Sequence, residues 1–104
     1  MSAPEPVRVS CWGELRGEKK IPGLLRVLVG GQHAGAIMRD GAIWYAGHQA
    51  RVLGPVTETE HATAEEALKR VLRSGFARRL GARAASPVYW SARARRAASR
   101  GGAR

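Results

Sequence analysis

The side chains that most often bind metal ions or act as nucleophiles are few in this sequence. They are Cys11, His33, His48 and His61, and no two of them stand at the spacing of a CxxC or HxxxH motif. No GxxxxGK[ST] loop for nucleotide phosphates occurs either. We therefore predict that the protein is not an enzyme and needs no metal and no cofactor.

Arginine, a residue that commonly binds phosphate groups, is far more frequent in this sequence than cysteine or histidine. The 104 residues include 18 Lys and Arg against 8 Asp and Glu, which gives a net charge of +10. Residues 75–104 hold eight Arg and no acid, whereas residues 1–74 are close to neutral. A guanidinium binds phosphate with two hydrogen bonds, and a run of cations gains affinity by releasing counterions. This asymmetry predicts a nucleic-acid partner, although a solvated tail in an arginine-rich proteome has the same composition.

The predicted nucleic-acid contacts fall into two groups. One group lies on a face of the predicted sheet: Arg26, Arg39, Trp44 and Arg51. The other lies in the basic segment: Arg78, Arg79, Arg83, Tyr89, Trp90, Arg93, Arg95, Arg96 and Arg100. The arginines would contact phosphates, and the aromatic rings would stack on bases or fill a groove.

A three-stranded antiparallel sheet is predicted to position the first group. Residues 24–29, 33–39 and 42–46 are rich in apolar β-formers and are separated by Gly30-Gly31 and Asp40-Gly41. Asp-Gly between two apolar runs is typical of a two-residue hairpin turn. Alternation in residues 7–12 allows a fourth, N-terminal strand.

Alternation of side chains along these strands predicts two different faces. The predicted core face consists of Leu25, Val27, Val29, Ala34, Ala36, Met38, Ile43 and Tyr45. The predicted outer face is mixed and consists of Leu24, Arg26, Leu28, Gly35, Ile37, Arg39, Ala42 and Trp44.

One helix is predicted to cover the core face. Thr63 and Glu66 have the spacing of a capping box, and apolar residues recur from Ala64 to Leu72 at helical intervals. The fold class is therefore α+β, a three-stranded sheet on one helix with a basic C-terminal extension.

The predicted domain organisation has three parts. Residues 1–6 are a disordered leader, 7–80 a small α+β domain, and 81–104 a basic Arg/Ala-rich tail that is partly disordered or ordered on binding. Within the tail, Val88–Trp90 could dock on the sheet, and residues 92–99 could form a helix on contact with a partner.

Composition also predicts the compartment. A single cysteine excludes an intramolecular disulfide, and we find neither a signal-peptide pattern nor an apolar run long enough to span a membrane. We expect a cytoplasmic protein, nucleoid-associated if it binds DNA, with no membrane partner.

The order of these elements, with the Gly-Gly and Asp-Gly turns, IWYA at 43–46 and TAEEAL at 63–68, resembles the arm-type, AP2-like β-β-β-α DNA-binding modules of phage integrases. The resemblance covers residues 22–74. It implies that the sheet enters the major groove with the helix behind it, so that Arg26, Arg39, Trp44 and Arg51 would be the sheet contacts. The apolar residues Leu24, Leu28 and Ile37 depart from the more polar sheet face of that family, and no recombinase domain follows.

Together these features predict a small nucleic-acid-binding accessory protein of phage or mobile-element type, which binds DNA in preference to RNA. The alternative is a protein-interaction module, an inhibitor of a partner or a structural subunit, that docks or self-associates through Leu24, Leu28, Ile37 and Trp44.

Overall fold

The strands form where apolar residues alternate along the sequence, and the first helix forms where they recur every three or four residues. The computed structural model describes residues 3–102. Its strands are β1 Val7–Cys11, β2 Leu24–Val29, β3 Gln32–Asp40, β4 Ile43–His48, β5 Thr57–His61 and β6 Val88–Trp90. Its helices are α1 Ala64–Leu72, α2 Gly75–Arg79 and α3 Ala92–Gly102.

One mixed sheet contains all six strands, in the order β5-β4-β3-β2-β1-β6. Neighbours from β5 to β1 are antiparallel, whereas β6 pairs in parallel with β1, with Val7 opposite Val88. The predicted α+β class is confirmed, and β1 is the N-terminal strand that the alternation in residues 7–12 allows. The predicted three or four strands and one helix are too few, because the described chain forms six strands and three helices. The added elements β6 and α3 lie in the segment assigned to the tail, and residues 1, 2, 103 and 104 lie outside the described residues.

Strands β2 and β3 pair in two registers. Val29 lies opposite Gln32, as a two-residue Gly30-Gly31 turn requires, but farther along Val27 lies opposite Gly35. Ala34 is left without a partner in the described ladder, so it is the additional residue of a β-bulge. Because side chains alternate, a shift of one residue turns the rest of β3 to the other face.

The predicted core face is therefore wrong for β3 and β4. Ile37 and Trp44 are buried together with Leu25, whereas Met38 and Ile43 are 38% and 39% exposed. Ala36 and Tyr45, also predicted to be core residues, are half-buried.

The turn between β3 and β4 also differs by one residue from the prediction. Asp40 pairs with Ile43, so the turn residues are Gly41 and Ala42. Each residue of β3 therefore pairs with a residue two positions farther along β4 than predicted; Met38, for example, pairs with Tyr45 and not with Ile43. A shift of two positions keeps every side chain on the same face of the sheet. The bulge, not the turn, is what exchanges the faces.

All three helices pack on the face that carries Ile37 and Trp44, which we call the helix-covered face. Helix α1 packs on β3, β4 and β5, α2 contacts α1 and β3, and α3 packs on β1. The core residues of these helices are Ala64, Ala67, Leu68, Val71, Ala77 and Ala94. Thr63 accepts a hydrogen bond of 3.1 Å from the Glu66 N–H, which confirms the predicted N-cap.

The opposite side of the sheet, the open face, carries no helix of the described chain. Leu24, Met38 and Tyr45 form one cross-strand row on it. The loop that connects β1 to β2 covers its middle, where Trp12 lies over Arg26. Within residues 3–102, no helix is both long enough and apolar enough to cross a membrane.

Candidate functional site

The sequence predicts Arg26, Arg39 and Trp44 on one sheet face, but the structure divides them between the two faces. Arg26 lies on the open face and is 7% exposed; its guanidinium pairs with Glu18 and lies 4.3 Å from the centre of the Trp12 ring. Arg39 and Trp44 are cross-strand partners on the helix-covered face, where Trp44 is 1% exposed. The predicted common contact surface is therefore not formed.

Arg39 instead joins residues of the C-terminal segment around a cavity of about 380 Å³, which we call the end cavity. It opens where β1 and β3 end and where β2 and β4 begin. Four cationic side chains line it: Lys20, Arg39, Arg93 and Arg96. In the described part of the chain, no Asp or Glu lines it. The end cavity therefore has the charge of an anion-binding site.

Ser91 places α3 so that its arginines reach this cavity. The Ser91 N–H donates to the β1 backbone at 2.9 Å, and its hydroxyl accepts from the Ala94 N–H at 3.0 Å. The same hydroxyl donates to the Glu14 carboxylate at 2.7 Å. Because Ala94 is fully buried, the helix is fixed in rotation, and Arg93 and Arg96 emerge beside it into the end cavity.

Cys11 lies in the wall of the end cavity. Burial raises the pKa of the Cys11 thiol and Glu14 raises it further, whereas Arg93 and Arg96 oppose the shift. The thiol therefore stays protonated at neutral pH. A thiolate therefore does not offset the positive charge of the cavity; the nearest carboxylate is that of Glu14, which accepts hydrogen bonds from the Cys11 N–H and the Ser91 hydroxyl.

A second basic cavity, which we call the helix cavity, has a volume of about 410 Å³. It lies between the end of α1, α2 and the chain that follows α2. Its cationic side chains are Lys69, Arg73, Arg78 and Arg83, and its apolar side chains are Leu72, Ala82 and Ala84. No acidic residue of the described chain is part of its lining.

The remaining predicted contacts are dispersed. Arg51 is exposed in the loop between β4 and β5, and Arg79 is exposed at the end of α2. Arg95 lines a groove between α1 and α3. Arg100 lies in α3, but the surroundings of its side chain are outside what the structure describes.

Tyr89 and Trp90 are neighbours in β6 and therefore point to opposite sides of the sheet. Tyr89 is 56% exposed and pairs with Arg8 on the open face. Trp90 is half-buried on the helix-covered side, where it packs against the core and lines the groove with Arg95. Tyr89 is therefore more exposed than Trp90.

Charge differs between the two sides of the molecule. From α1 to α3 the helical side carries Lys69, Arg70, Arg73, Arg78, Arg79, Arg83, Arg93, Arg95 and Arg96. The acids of this stretch are Glu65 and Glu66, in the first turn of α1, where the helix dipole favours them. The open face is mixed: β5 presents Glu58 and Glu60, whereas β1 and β2 carry Arg8 and Arg26.

Two histidines at the edge of the helix-covered face share one hydroxyl. The Thr59 hydroxyl lies 2.7 Å from His61 Nε2 and 3.4 Å from His48 Nε2. Burial lowers the pKa of His48, as do the nearby Arg70 and His61. Among residues 3–102, no three His, Cys, Asp or Glu side chains come together as a group that could hold a metal ion.

Sequence reasoning missed three cations of the two cavities, Lys20, Lys69 and Arg73. Lys69 and Arg73 are four residues apart on one helix, so a helical projection would have placed them on the same side. Lys20 lies in an irregular loop, and no periodic pattern indicates its position.

No protein-family model, curated protein or solved structure matches this chain. The resemblance to the arm-type modules of integrases therefore stays a prediction.

Proposed function

We propose that this protein binds nucleic acid, with duplex DNA preferred to RNA, through the helix-covered side of the molecule. The observation that carries the proposal is the pair of cavities, each lined by four cations and, within the described residues, by no acid. Charge of one sign concentrated in concave sites attracts phosphates and raises their local concentration.

Helix α1 separates the two cavities, which favours a polymer over a small anion. The helix begins shortly after β5, and His61 at the end of β5 pairs with Trp44, which lines the end cavity. The helix ends at Leu72, which lines the helix cavity. Nine residues of α-helix span about 14 Å. We therefore expect a single phosphate to occupy one cavity and a phosphodiester backbone to reach both.

The type of cation also favours phosphate. Three of the four cations of each cavity are arginines, and a guanidinium binds a phosphate with two parallel hydrogen bonds. These arginines differ in the secondary structure that holds them. Arg93 and Arg96 project from a capped helix, whereas Arg83 follows α2 in an irregular segment. We expect the end cavity to contribute the better-ordered phosphate contacts.

The proposal is tested by the salt dependence of binding to a fluorescently labelled DNA duplex. Each phosphate contact that is lost reduces the slope of log K against log salt by about 0.9. The double variants Arg93→Gln/Arg96→Gln and Arg78→Gln/Arg83→Gln should therefore bind more weakly and with slopes lower by up to about two.

The matched control is Arg8→Gln/Arg16→Gln, which removes the same charge from exposed positions outside both cavities. The control should retain most of the affinity and the slope of the wild type. Absence of binding at low salt, or equal weakening in the control, would contradict the proposal. Competition with single-stranded DNA and with RNA duplexes then tests the preference for DNA.

We propose protein–protein docking through the open face as the second candidate function. The row formed by Leu24, Met38 and Tyr45, with Ile43 beside it, leaves apolar surface exposed on a face that carries no helix of the described chain. The residues differ from those in the sequence hypothesis, because Ile37 and Trp44 are in the core. Self-association that is abolished by Met38→Glu, with DNA binding intact, would support this function.

A further inference from the structure

The loop between β4 and β5 exposes an apolar tip, residues 51–56, which we call the knuckle. Leu53 is 96% exposed, Val52 57% and Val56 64%. Leu53 is also the non-glycine residue of the described chain with a positive φ, at 64°. For a leucine this left-handed conformation costs about 1–2 kcal/mol. The chain thus places a large apolar side chain in water at the expense of backbone strain.

Hydrogen bonds hold the knuckle in place. The Gly54 N–H donates to the Arg51 carbonyl oxygen at 3.1 Å, and the Gln49 side chain donates to the Gly54 carbonyl oxygen at 2.7 Å. The Phe76 N–H of α2 donates to the Gln49 carbonyl oxygen at 3.1 Å. Leu53 is therefore presented on a supported turn.

The knuckle and the helix cavity lie at the same end of the molecule. A Cβ on Gly75 would collide with the carbonyl oxygen of Ala50, so the loop and the start of α2 are in direct contact. Arg51 follows this contact in the loop, Arg73 is the C-cap of α1, and Arg78 lies in α2. Arg73 and Arg78 belong to the helix cavity. The knuckle is thus joined at its base to the start of α2, the helix that carries Arg78 of the helix cavity.

We propose that Leu53 is a wedge that inserts between adjacent base pairs of duplex DNA while the helix cavity holds the neighbouring phosphates. This inference rests on the proposed function and specifies how the duplex is bound. Proteins that enter the minor groove commonly insert a leucine, isoleucine, phenylalanine, methionine or proline between base steps, with arginines beside it, and kink the duplex by about 20–90°. The surrounding arginines favour DNA over an apolar protein surface as the occupant, because a protein partner would leave these charges without counterions.

The test uses the full chain and two DNA probes. A duplex that contains 2-aminopurine at a central flexible step reports unstacking as a rise in fluorescence, and a duplex with a dye at each end reports bending as energy transfer. The variants are Leu53→Gly and Leu53→Asn, since glycine and asparagine accept the left-handed backbone. The control is Leu15→Asn, which changes another exposed leucine, 53% exposed, in the loop between β1 and β2.

Wild-type protein and the Leu15→Asn variant should unstack and bend the duplex. Both Leu53 variants should bind with a similar salt slope but lose the 2-aminopurine response and the change in energy transfer. Binding without unstacking in the wild type, or unstacking that persists in both Leu53 variants, overturns the wedge and leaves the proposed function intact. No binding by the wild type overturns both. Self-association lost in Leu53→Gly, with unstacking unchanged, assigns the knuckle to a protein contact and also overturns the wedge.

Discussion

Val71 of α1 packs directly on the backbone of Gly35 in β3. A Cβ on Gly35 would lie 2.7 Å from Val71 Cγ1 and 2.7 Å from the carbonyl oxygen of Gly47. Neither neighbour can move freely, because Val71 is fully buried and the carbonyl is part of the sheet. We therefore expect Gly35→Ala to push α1 away from the sheet and to lower the free energy of unfolding by about 1–3 kcal/mol.

Gly47→Ala is the matched control for that substitution. Gly47 lies next to Gly35 in the sheet, but a Cβ there would be 3.6 Å from Val56 and 3.7 Å from the nearest backbone oxygen, which is ordinary contact. Chemical denaturation should show a change of less than about 1 kcal/mol for Gly47→Ala. Equal destabilisation by both substitutions would show that the close approach of α1 is not the cause.

The two N-caps should differ in importance. Thr63 caps α1 at an exposed position, whereas Ser74 caps α2 while only 4% exposed, and its hydroxyl accepts from the buried Ala77 N–H at 3.2 Å. Water can replace the hydroxyl of Thr63, so Thr63→Ala should lower the free energy of unfolding by about 1 kcal/mol. Ser74→Ala leaves a buried donor without a partner and should lower it by about 1–3 kcal/mol. Urea unfolding of the two single variants checks the order, and a larger loss for Thr63→Ala would contradict it.

Acid should destabilise the fold through His48. Its pKa is lowered below the ordinary 6.5 by burial, by Arg70 and by His61. As the pH falls below about 6.5, the unfolded chain takes up a proton at this residue before the folded protein does, so the free energy of unfolding decreases. His33, whose pKa is lowered by burial and Arg26, adds to the effect.

This pH dependence is measured by denaturation between about pH 7.5 and 5.5, around the ordinary histidine pKa. His48→Gln should lose less stability over this range than the wild type, because glutamine does not titrate. Parallel curves for the wild type and His48→Gln would contradict the assignment.

The rate at which Cys11 is alkylated should report the electrostatics of the end cavity. Since the pKa of the thiol is raised, its thiolate fraction at neutral pH is small, and the rate should increase with pH to a midpoint above that of a free cysteine peptide. Arg93→Gln/Arg96→Gln should move the midpoint higher, and Glu14→Gln should move it lower. A midpoint that is the same in all three proteins would show that these side chains do not act on the thiol.

Local features of the sequence were sufficient for part of the fold. The α+β class follows from the turn residues and the capping box, and the pairing of Val29 with Gln32 follows from Gly30-Gly31. The exchange of faces in β3 was not predicted, because it depends on one additional residue, Ala34. The local signal for this bulge is Gly35, since a glycine inside a strand often marks one. The additional residue decides that Trp44 is in the core and that Met38 is exposed.

Long-range contacts account for the rest. Val88 and Tyr89 form a strand because they pair with the free edge of β1. That edge lies about 80 residues earlier in the sequence, so no local pattern around Val88 predicts the strand. The composition of residues 92–99 allows a helix on contact with a partner; α3 forms against β1 of the same chain, where Ala94 is fully buried. The end cavity could not be predicted, because its cations come from segments that are distant in sequence. The cations of the helix cavity all lie within residues 69–83, but the packing of α2 against α1 that brings them together is not visible in a local pattern.

The parallel pairing of β6 with β1 also bears on how the chain folds as it is synthesised. Val7 leaves the ribosome long before Val88, its partner, and at about 5–20 residues per second the interval is several seconds. During that interval the apolar β1 presents an unprotected edge. The residues made just before β6, from 75 to 87, have few strand-forming side chains, so they do not compete with β6 for this edge. We therefore expect the pairing of β6, which also leads into the basic helix α3, to be the step that covers this edge of the nascent sheet.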